Sequence, residues 1–241
     1  MTAMRTFTKA EPQRLPEIVA EQIEEAIIDG DFAHGSQLPS EKQLADQFEV
    51  SRNVVREAFK YLQERGLIQI INGSGAYVTP PSAAPTSTAL GRYIRLLGHR
   101  DSITALYEAR RVLEGNNARL AAERADAADI TALEQCLADM RDGVTDIGRW
   151  SQADLEFHLA IASATHNPFF RVLLEPLVDQ LREVIAEGYL VEGAVERGMH
   201  AHTLLIQAIQ ARDSEAAYQV IIEHLRDSEA RVAEYQSRRT I

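Results

Sequence analysis

The first 80 residues contain three stretches in which apolar side chains recur every three or four positions, the period of an amphipathic helix. The first stretch has Pro16 in its opening turn and stops at Gly30, which are residues suited to a helix start and a helix end. The second begins after Ser40, and Gln43 follows three positions later, in the spacing of a capping box. We therefore expect two successive helices here.

A third helical stretch and a hairpin follow. Ser51 is in position to cap the sequence RNVVREAFKYLQER, which ends at Gly66. The β-rich runs LIQII and AYVT then flank Asn72–Gly75, a glycine-rich turn of the kind that joins two antiparallel strands. The order helix, turn, helix and hairpin is that of a winged helix-turn-helix domain.

The segment TPPSAAPTST, Thr79–Thr88, is rich in proline and small polar residues and predicts an interdomain linker. Helical periodicity returns after it without strand-like alternation. Seven helical segments are expected, at about 86–98, 102–125, 127–142, 147–165, 168–187, 194–211 and 213–237. The predicted fold class is mainly α: a winged helix-turn-helix domain with a small β-hairpin (1–80), a linker (81–88) and an all-α bundle of about seven helices (89–241).

Composition narrows the class of protein. The chain has 241 residues, of which 45% are hydrophobic, enough for two ordinary domains. It lacks a run of about 18 apolar residues, so we expect no membrane span. The N-terminal sequence MTAMRTFTKAEPQRLP has no apolar signal-peptide core, so we expect a cytoplasmic protein. Cys136 is the single cysteine, which excludes an internal disulfide and a cysteine-rich zinc site.

The third helix concentrates positive charge in a half that is acidic as a whole. The net charge of the chain is −11, and its first 80 residues hold 8 Lys and Arg against 12 Asp and Glu, a balance of 8 − 12 = −4. Arg52, Arg56 and Lys60 nevertheless repeat every four residues on one face, where they could contact phosphates and guanines. The residues expected to reach the major groove are Ser51, Arg52, Asn53 and Arg56. The alternative is a solvated face paired with Glu57 and Glu64.

The stretch GSQLPSEKQLADQFEVSRNVVREAFKYLQERGLIQIINGSGAYV closely resembles the winged-helix domain of GntR-family bacterial transcription regulators, and the resemblance covers nearly all of residues 12–80. In that family the DNA contacts come from the basic residue after Ser-Glu, the two arginines of the Ser-Arg and Val-Arg-Glu-Ala motifs, and the wing tip. Here these positions are Lys42, Arg52, Arg56, and Gly73 with its neighbour Ser74. Lys42 replaces the usual arginine and cannot form its bidentate fork, and Ser74 replaces a frequently basic residue.

Asp154 and His158 lie one helical turn apart in the apolar stretch ADLEFHLAIASATHNP, so they share one face of a helix. His202 and His224 belong to the last two predicted helices, and antiparallel packing of consecutive helices would bring them to a similar height. Three imidazoles and a carboxylate inside a bundle suit a divalent transition metal. The alternative is that each histidine is satisfied by the protein, and we keep that interpretation for His34, His99, His166 and His200.

Residues 86–236 resemble the FCD effector domain of the FadR-like branch of the same family, through YEARRVLEGNNARLAAERA, ADLEFHLAIASATHNP and AHTLLIQAIQARDSEAAYQVIIEHL. The resemblance implies a divalent ion (zinc, nickel or manganese) held by Asp154, His158, His202 and His224. It also implies an effector, a small carboxylate or sugar acid, that reaches the metal. Arg110 matches a position that can pair with the carboxylate, and Asn167 matches a frequent pocket residue. Their alternatives are a surface salt bridge for Arg110 and a helix N-cap for Asn167.

Three functions remain open from the sequence. The first is a metal-containing, ligand-responsive transcription regulator that binds a palindromic double-stranded DNA operator as a homodimer, since one winged helix contacts a single half-site. The second is a metal-dependent enzyme fused to a DNA-binding domain, because catalytic metals also keep open positions. We disfavour it because Glu156 lies on another helix face than the ligands. The third is a pure metal-ion sensor, against which Arg110 argues as an anion partner.

Overall fold

In a computed structural model, residues 14–97 and 99–239 are described, and they confirm the mainly α fold class. The chain divides into two compact units between Pro85 and Thr86. The first unit contains α1 (Arg14–Ile28), α2 (Glu41–Phe48), α3 (Arg52–Glu64), β1 (Ile68–Ile71) and β2 (Gly75–Val78). The expectation of no signal peptide falls on residues 1–13, outside the described residues.

The first unit is a winged helix-turn-helix. The predicted capping box is present, with the Ser40 hydroxyl accepting from the backbone of Gln43 and the Gln43 side chain accepting from the backbone of Ser40. Antiparallel β1 and β2 form the predicted hairpin, with Ile68 opposite Val78. Gly73 in its turn has φ 78°, a backbone conformation that favours glycine. The core lies between the helices and the inner face of the hairpin, and includes Ile23, Leu44, Val55, Phe59, Leu62 and Ile68.

Helix α4 (Ala84–Leu97) begins inside the segment predicted as linker. The Ser82 hydroxyl accepts from the Ala84 amide at 3.3 Å, and Pro85 lies in the first turn, where a missing N–H costs nothing. One turn later, buried Ser87 donates to the Asp179 carboxylate at 2.8 Å. A linker expected to run to residue 88 therefore ends earlier, and only residues 79–83 lie between β2 and the helix.

The second unit is an all-α bundle, and its predicted helix boundaries agree with the structure to within about three residues. The remaining helices are α5 (His99–Arg124), α6 (Ala127–Asp142), α7 (Ile147–Ser163), α8 (Pro168–Tyr189), α9 (Ala194–Gln210) and α10 (Ser214–Arg239). Helix α5 packs on α7, α8, α9 and α10, and α7 lies against α5, α6 and α8. Consequently α7 is buried along most of its length, which places its polar residues in the core. No described helix is long and apolar enough to cross a bilayer.

Candidate DNA interface and metal centre

The first turn of α3 presents two of the predicted DNA-binding side chains to solvent. Ser51 is the N-cap, and its hydroxyl accepts from the Val54 amide at 3.4 Å, so its side chain serves the helix. Arg52 and Asn53 follow it, and both are exposed. An arginine and an asparagine at a helix N-terminus have the donors and acceptors that read base edges in the major groove.

Arg56 lies one turn further along α3, and its guanidinium forms a bidentate interaction with α2. Its Nε and Nη2 donate to the two Glu41 carboxylate oxygens at 3.1 and 2.9 Å, and these bonds lower the pKa of Glu41. The side chain of Arg56 is still 54% exposed, and neighbouring Lys42 is exposed as well. Lys60 pairs with Glu57 at 2.7 Å, so part of the basic stripe is neutralised within the protein, in line with the alternative of a solvated, paired face.

Hydrogen bonds to other residues of the same domain fix the wing tip. The Ser74 hydroxyl and the Tyr77 hydroxyl share a hydrogen bond of 2.6 Å, and the Gln37 side chain donates to the Ser74 carbonyl at 2.6 Å. Gly73 remains exposed at the tip. The wing therefore presents backbone and small side chains, while the Ser74 hydroxyl is already bonded.

The structure brings the four predicted metal ligands together in the bundle core. Asp154 and His158 come from α7, His202 from α9 and His224 from α10, and their exposed fractions are 4, 1, 0 and 6%. One possible ligand atom from each lies within 4.8 Å of the others. The Nε2 atoms of His202 and His158 lie 3.4 and 3.9 Å from the Asp154 carboxylate. Sequence spacing alone placed only Asp154 and His158 on one face.

The donor set fits a divalent transition metal. Within the described part of the chain, Asp154 Oδ1, His158 Nε2 and both His202 nitrogens are buried without a hydrogen-bond partner. Buried polar atoms without partners are rare in native proteins, and a bound ion is one of the recognised explanations for them. Burial lowers the pKa values of His202 and His224 well below the usual range, so both imidazoles are neutral, which is the ligating form.

Glu114 belongs to this centre, although the sequence reasoning did not identify it. Its carboxylate bonds Nδ1 of His158 on one side and Nε of Arg110, itself buried, on the other. Burial alone would raise the pKa of Glu114, but the charge of Arg110 and the hydrogen bonds from Arg110 and His158 outweigh it and lower the pKa to about 2. An anionic Glu114 fixes the Nδ1–H tautomer of His158 and leaves Nε2 free to ligate. The sequence feature that could have indicated Glu114 is its four-residue spacing from Arg110, which also fits an ion pair on the surface.

A narrow pocket of about 10 Å³, room for about one water molecule, adjoins the four-residue cluster. Asp154 and His224 line it together with Trp150, Ser228 and Arg231. The Trp150 indole N–H is buried and has no partner among the described residues. Sequence analysis missed Arg231 and Ser228, yet His224, Ser228 and Arg231 recur at positions i, i+4 and i+7 of α10, a spacing that places them on one face.

The two predicted effector residues lie in different surroundings. Arg110 is buried beside the cluster, not on the surface, and its Nη2 has no hydrogen-bond partner in the described residues. Asn167 is the N-cap of α8, and its Oδ1 accepts from the Phe169 amide at 3.1 Å. Among the residues that the structure describes, Asn167 is not part of the pocket lining, so its local geometry is that of the helix-cap alternative.

Comparisons with known proteins agree with both halves of this description. Residues 15–78 match the model of the bacterial regulatory proteins of the gntR family, and residues 105–227 match the FCD domain. The HTH-type transcriptional repressor NanR of Cronobacter sakazakii is 32% identical over 217 residues, which are 88% of this chain and 83% of that protein. NanR of Edwardsiella tarda is 33% identical over the same shares of the two chains.

A solved structure shows the same fold. Streptococcus agalactiae GntR matches with a TM-score of 0.71 at 24% sequence identity, covering 89% of this chain and 99% of that one. The two NanR relatives are transcriptional repressors. The chain belongs to the GntR family of bacterial DNA-binding transcription regulators and carries an FCD domain.

Proposed function

We propose that this regulator binds a palindromic operator as a homodimer and responds to a small carboxylate or sugar acid bound beside a divalent metal in its FCD domain. The observation that carries the metal is the set of four buried ligand atoms within 4.8 Å of one another, of which several have no other partner. Asp154, His158, His202 and His224 would hold the ion. Zinc, nickel and manganese all accept imidazole and carboxylate ligands.

Support for an anionic effector comes from the positive groups that surround the cluster. Arg231 and Trp150 line the pocket, and Arg110, outside the lining, has a buried Nη2 without a partner among the described residues. A divalent ion with four protein ligands keeps one or two positions open when octahedral, and a carboxylate oxygen is a suitable ligand for them. A second polar group on the same acid, such as a hydroxyl, would meet Ser228 or Trp150. This arrangement favours a small hydroxy or sugar acid over a purely apolar ligand.

Replacing Arg52 with alanine should weaken operator binding about tenfold or more, because a good base contact contributes about 1–3 kcal/mol. Arg52 is exposed on α3, so the fold should remain intact. The operator would first be selected from random DNA with the wild-type protein, and affinity would then be measured at fixed salt. Sedimentation of the complex should give two chains per operator.

Arg65→Ala is the matched control for this experiment. It removes the same charge at the far end of α3, where Arg65 pairs with Glu24. We expect it to change affinity only slightly. Equal losses in both variants would mean that charge alone matters, and unchanged affinity in Arg52→Ala would contradict the assigned DNA-reading surface.

Replacing Arg231 with glutamine should abolish most of the response to effector while metal content and operator binding stay at the wild-type level. A charge-assisted hydrogen bond is worth about 1.5–3 kcal/mol, so effector affinity should fall about tenfold to a hundredfold. The substitution removes the ion pair between Arg231 and Asp227, but Asp227 is 41% exposed and can be solvated. The measurement is a thermal-shift screen with small carboxylates and sugar acids, with and without chelator, since a bound ligand raises the melting temperature.

Arg197→Gln tests whether the effect comes from the pocket. Arg197 also pairs with Asp227, at 3.5 Å, but it is largely exposed and is not part of the pocket lining. An effector response lost equally in both variants would argue against the pocket. A purified wild-type protein that turns over the acid would instead favour an enzyme, and operator binding controlled by metal alone would favour a metal sensor.

A further inference from the structure

We propose that Asn117 is a positioning residue of the metal centre: through a buried water molecule it holds the ring of His202 so that Nε2 faces the ion. This inference rests on the proposed metal centre. Asn117 lies on α5, outside the ligand set and outside the pocket lining. It would orient the ring of His202 as Glu114 orients the ring of His158.

Asn117 is a fully buried polar residue of the bundle. Its side chain is 0% exposed, and neither its Nδ2 nor its Oδ1 has a hydrogen-bond partner among the described residues. An amide has two donor hydrogens and an acceptor oxygen, and leaving them all unmet in the core destabilises the fold. A buried water that bonds to such atoms is the common solution in native proteins.

The position of Asn117 on α5 directs it toward the metal centre. It follows Glu114 by three residues, so the two side chains share a face and are about 4.5 Å apart along the helix axis. Glu114 bonds His158, and the ring centroid of His158 lies 5.6 Å from that of His202. Helix α5 also packs directly on α9, the helix that carries His202.

His202 also has a buried nitrogen that lacks a hydrogen-bond partner among the described residues. Its Nε2 lies 3.4 Å from the Asp154 carboxylate, on the side of the proposed ion, and Nδ1 is also buried without a partner in the described structure. Metal-ligating histidines donate their second ring N–H to an outer acceptor, which fixes the tautomer and the ring orientation. One water would accept from His202 Nδ1–H and from the Asn117 amide and would donate to the Asn117 carbonyl oxygen. That single water molecule would give hydrogen-bond partners both to His202 Nδ1 and to the side chain of Asn117.

This arrangement predicts different effects on stability and on zinc affinity. In Asn117→Leu, a side chain of similar size replaces the amide and the water that it holds, and because such an apolar replacement is close to neutral, the metal-free protein should melt within about 2 °C of wild type. The same change removes the outer partner of His202, so zinc affinity should fall about tenfold to a hundredfold. Replacing a residue that only supports the fold would instead lower both the melting temperature and the zinc affinity.

The experiment uses full-length protein stripped with a chelator. Thermal unfolding is measured without metal, and zinc affinity is measured by competition with a chromophoric chelator. Asn116→Leu is the control, because Asn116 is exposed and bonds only its own helix, at the Val112 carbonyl. Asn117→Ser keeps a donor and an acceptor and leaves room for water, so it should retain zinc affinity within about threefold of wild type.

Each outcome decides the proposal. A near-normal melting temperature with weaker zinc binding in Asn117→Leu, and near-normal zinc binding in Asn117→Ser, would support it. Zinc affinity equal to wild type in Asn117→Leu would overturn it while leaving the metal centre intact. If Asn117→Leu does not fold, a tenfold loss in the well-folded Asn117→Ser variant would overturn it instead. A wild-type protein that binds no zinc would overturn the metal centre itself, and this proposal with it.

Discussion

Replacing His202 with alanine should reduce zinc affinity about a hundredfold or more and leave the dialysed protein nearly metal-free. Structural zinc sites with four ligands have apparent binding free energies of about 10–16 kcal/mol, so one ligand accounts for about 3 kcal/mol, and 1.4 kcal/mol is a factor of ten. His202 is suited to this test because its imidazole is fully buried against Asp154. Metal content by elemental analysis and affinity by chelator competition would measure the effect.

His200→Ala provides the matched control. His200 lies two residues earlier on α9 and is exposed, so it points away from the cluster. We expect this variant to keep the wild-type metal content and melting temperature. Equal metal loss in both variants, or loss in neither, would show that the histidines have been assigned wrongly.

Replacing Glu114 with glutamine should lower the free energy of unfolding by about 3 kcal/mol at pH 7. The pKa of Glu114 falls from an ordinary 4.5 to about 2 in the fold, and each unit corresponds to about 1.4 kcal/mol. The physical reason is that the variant leaves the Arg110 guanidinium buried without a counter-charge, which is among the costly changes in a protein core. Denaturant unfolding of the chelator-treated protein would measure this loss.

The same prediction has a pH dependence with a definite sign. Because the folded-state pKa is depressed, the contribution of Glu114 is fully present above the unfolded value of about 4.5 and disappears as the pH falls toward 2. The stability of wild type and Glu114→Gln should therefore converge between about pH 5 and pH 2. Glu108→Gln, an exposed change on the same helix, should show no such convergence. A constant difference across this range would rule out the ion pair as the source.

Features that depend on one helix at a time could be predicted from the sequence. The capping residues Ser40 and Ser51 gave the helix starts correctly, and the spacing of Asp154 and His158 indicated their shared face. His202 and His224 could be added because α9 and α10 are consecutive and joined by a short turn. For such neighbours the packing direction follows from the connection itself.

Features that depend on contacts between distant helices could not be predicted in the same way. The bond from Glu114 to His158 spans 44 positions, and only the packing of α5 on α7 creates it. The pocket role of Arg231 likewise depends on where α10 lies relative to Trp150. The predicted linker extends past the observed helix start because proline and serine favour loops, whereas Pro85 here lies in the first turn of α4 and the Ser82 hydroxyl accepts from the Ala84 amide.

The regular order of His224, Ser228 and Arg231 along α10 has a consequence for how such regulators diversify. The first residue would hold the ion, and the next two, one and two turns away, face the pocket without being ligands. Under the proposed function, mutations at Ser228 and Arg231 would therefore change the acid that is recognised without removing a metal ligand. Duplicated genes would then acquire new effector specificities through one or two codon changes, and a laboratory library confined to these two positions would sample them while the proposed metal ligands stay unchanged.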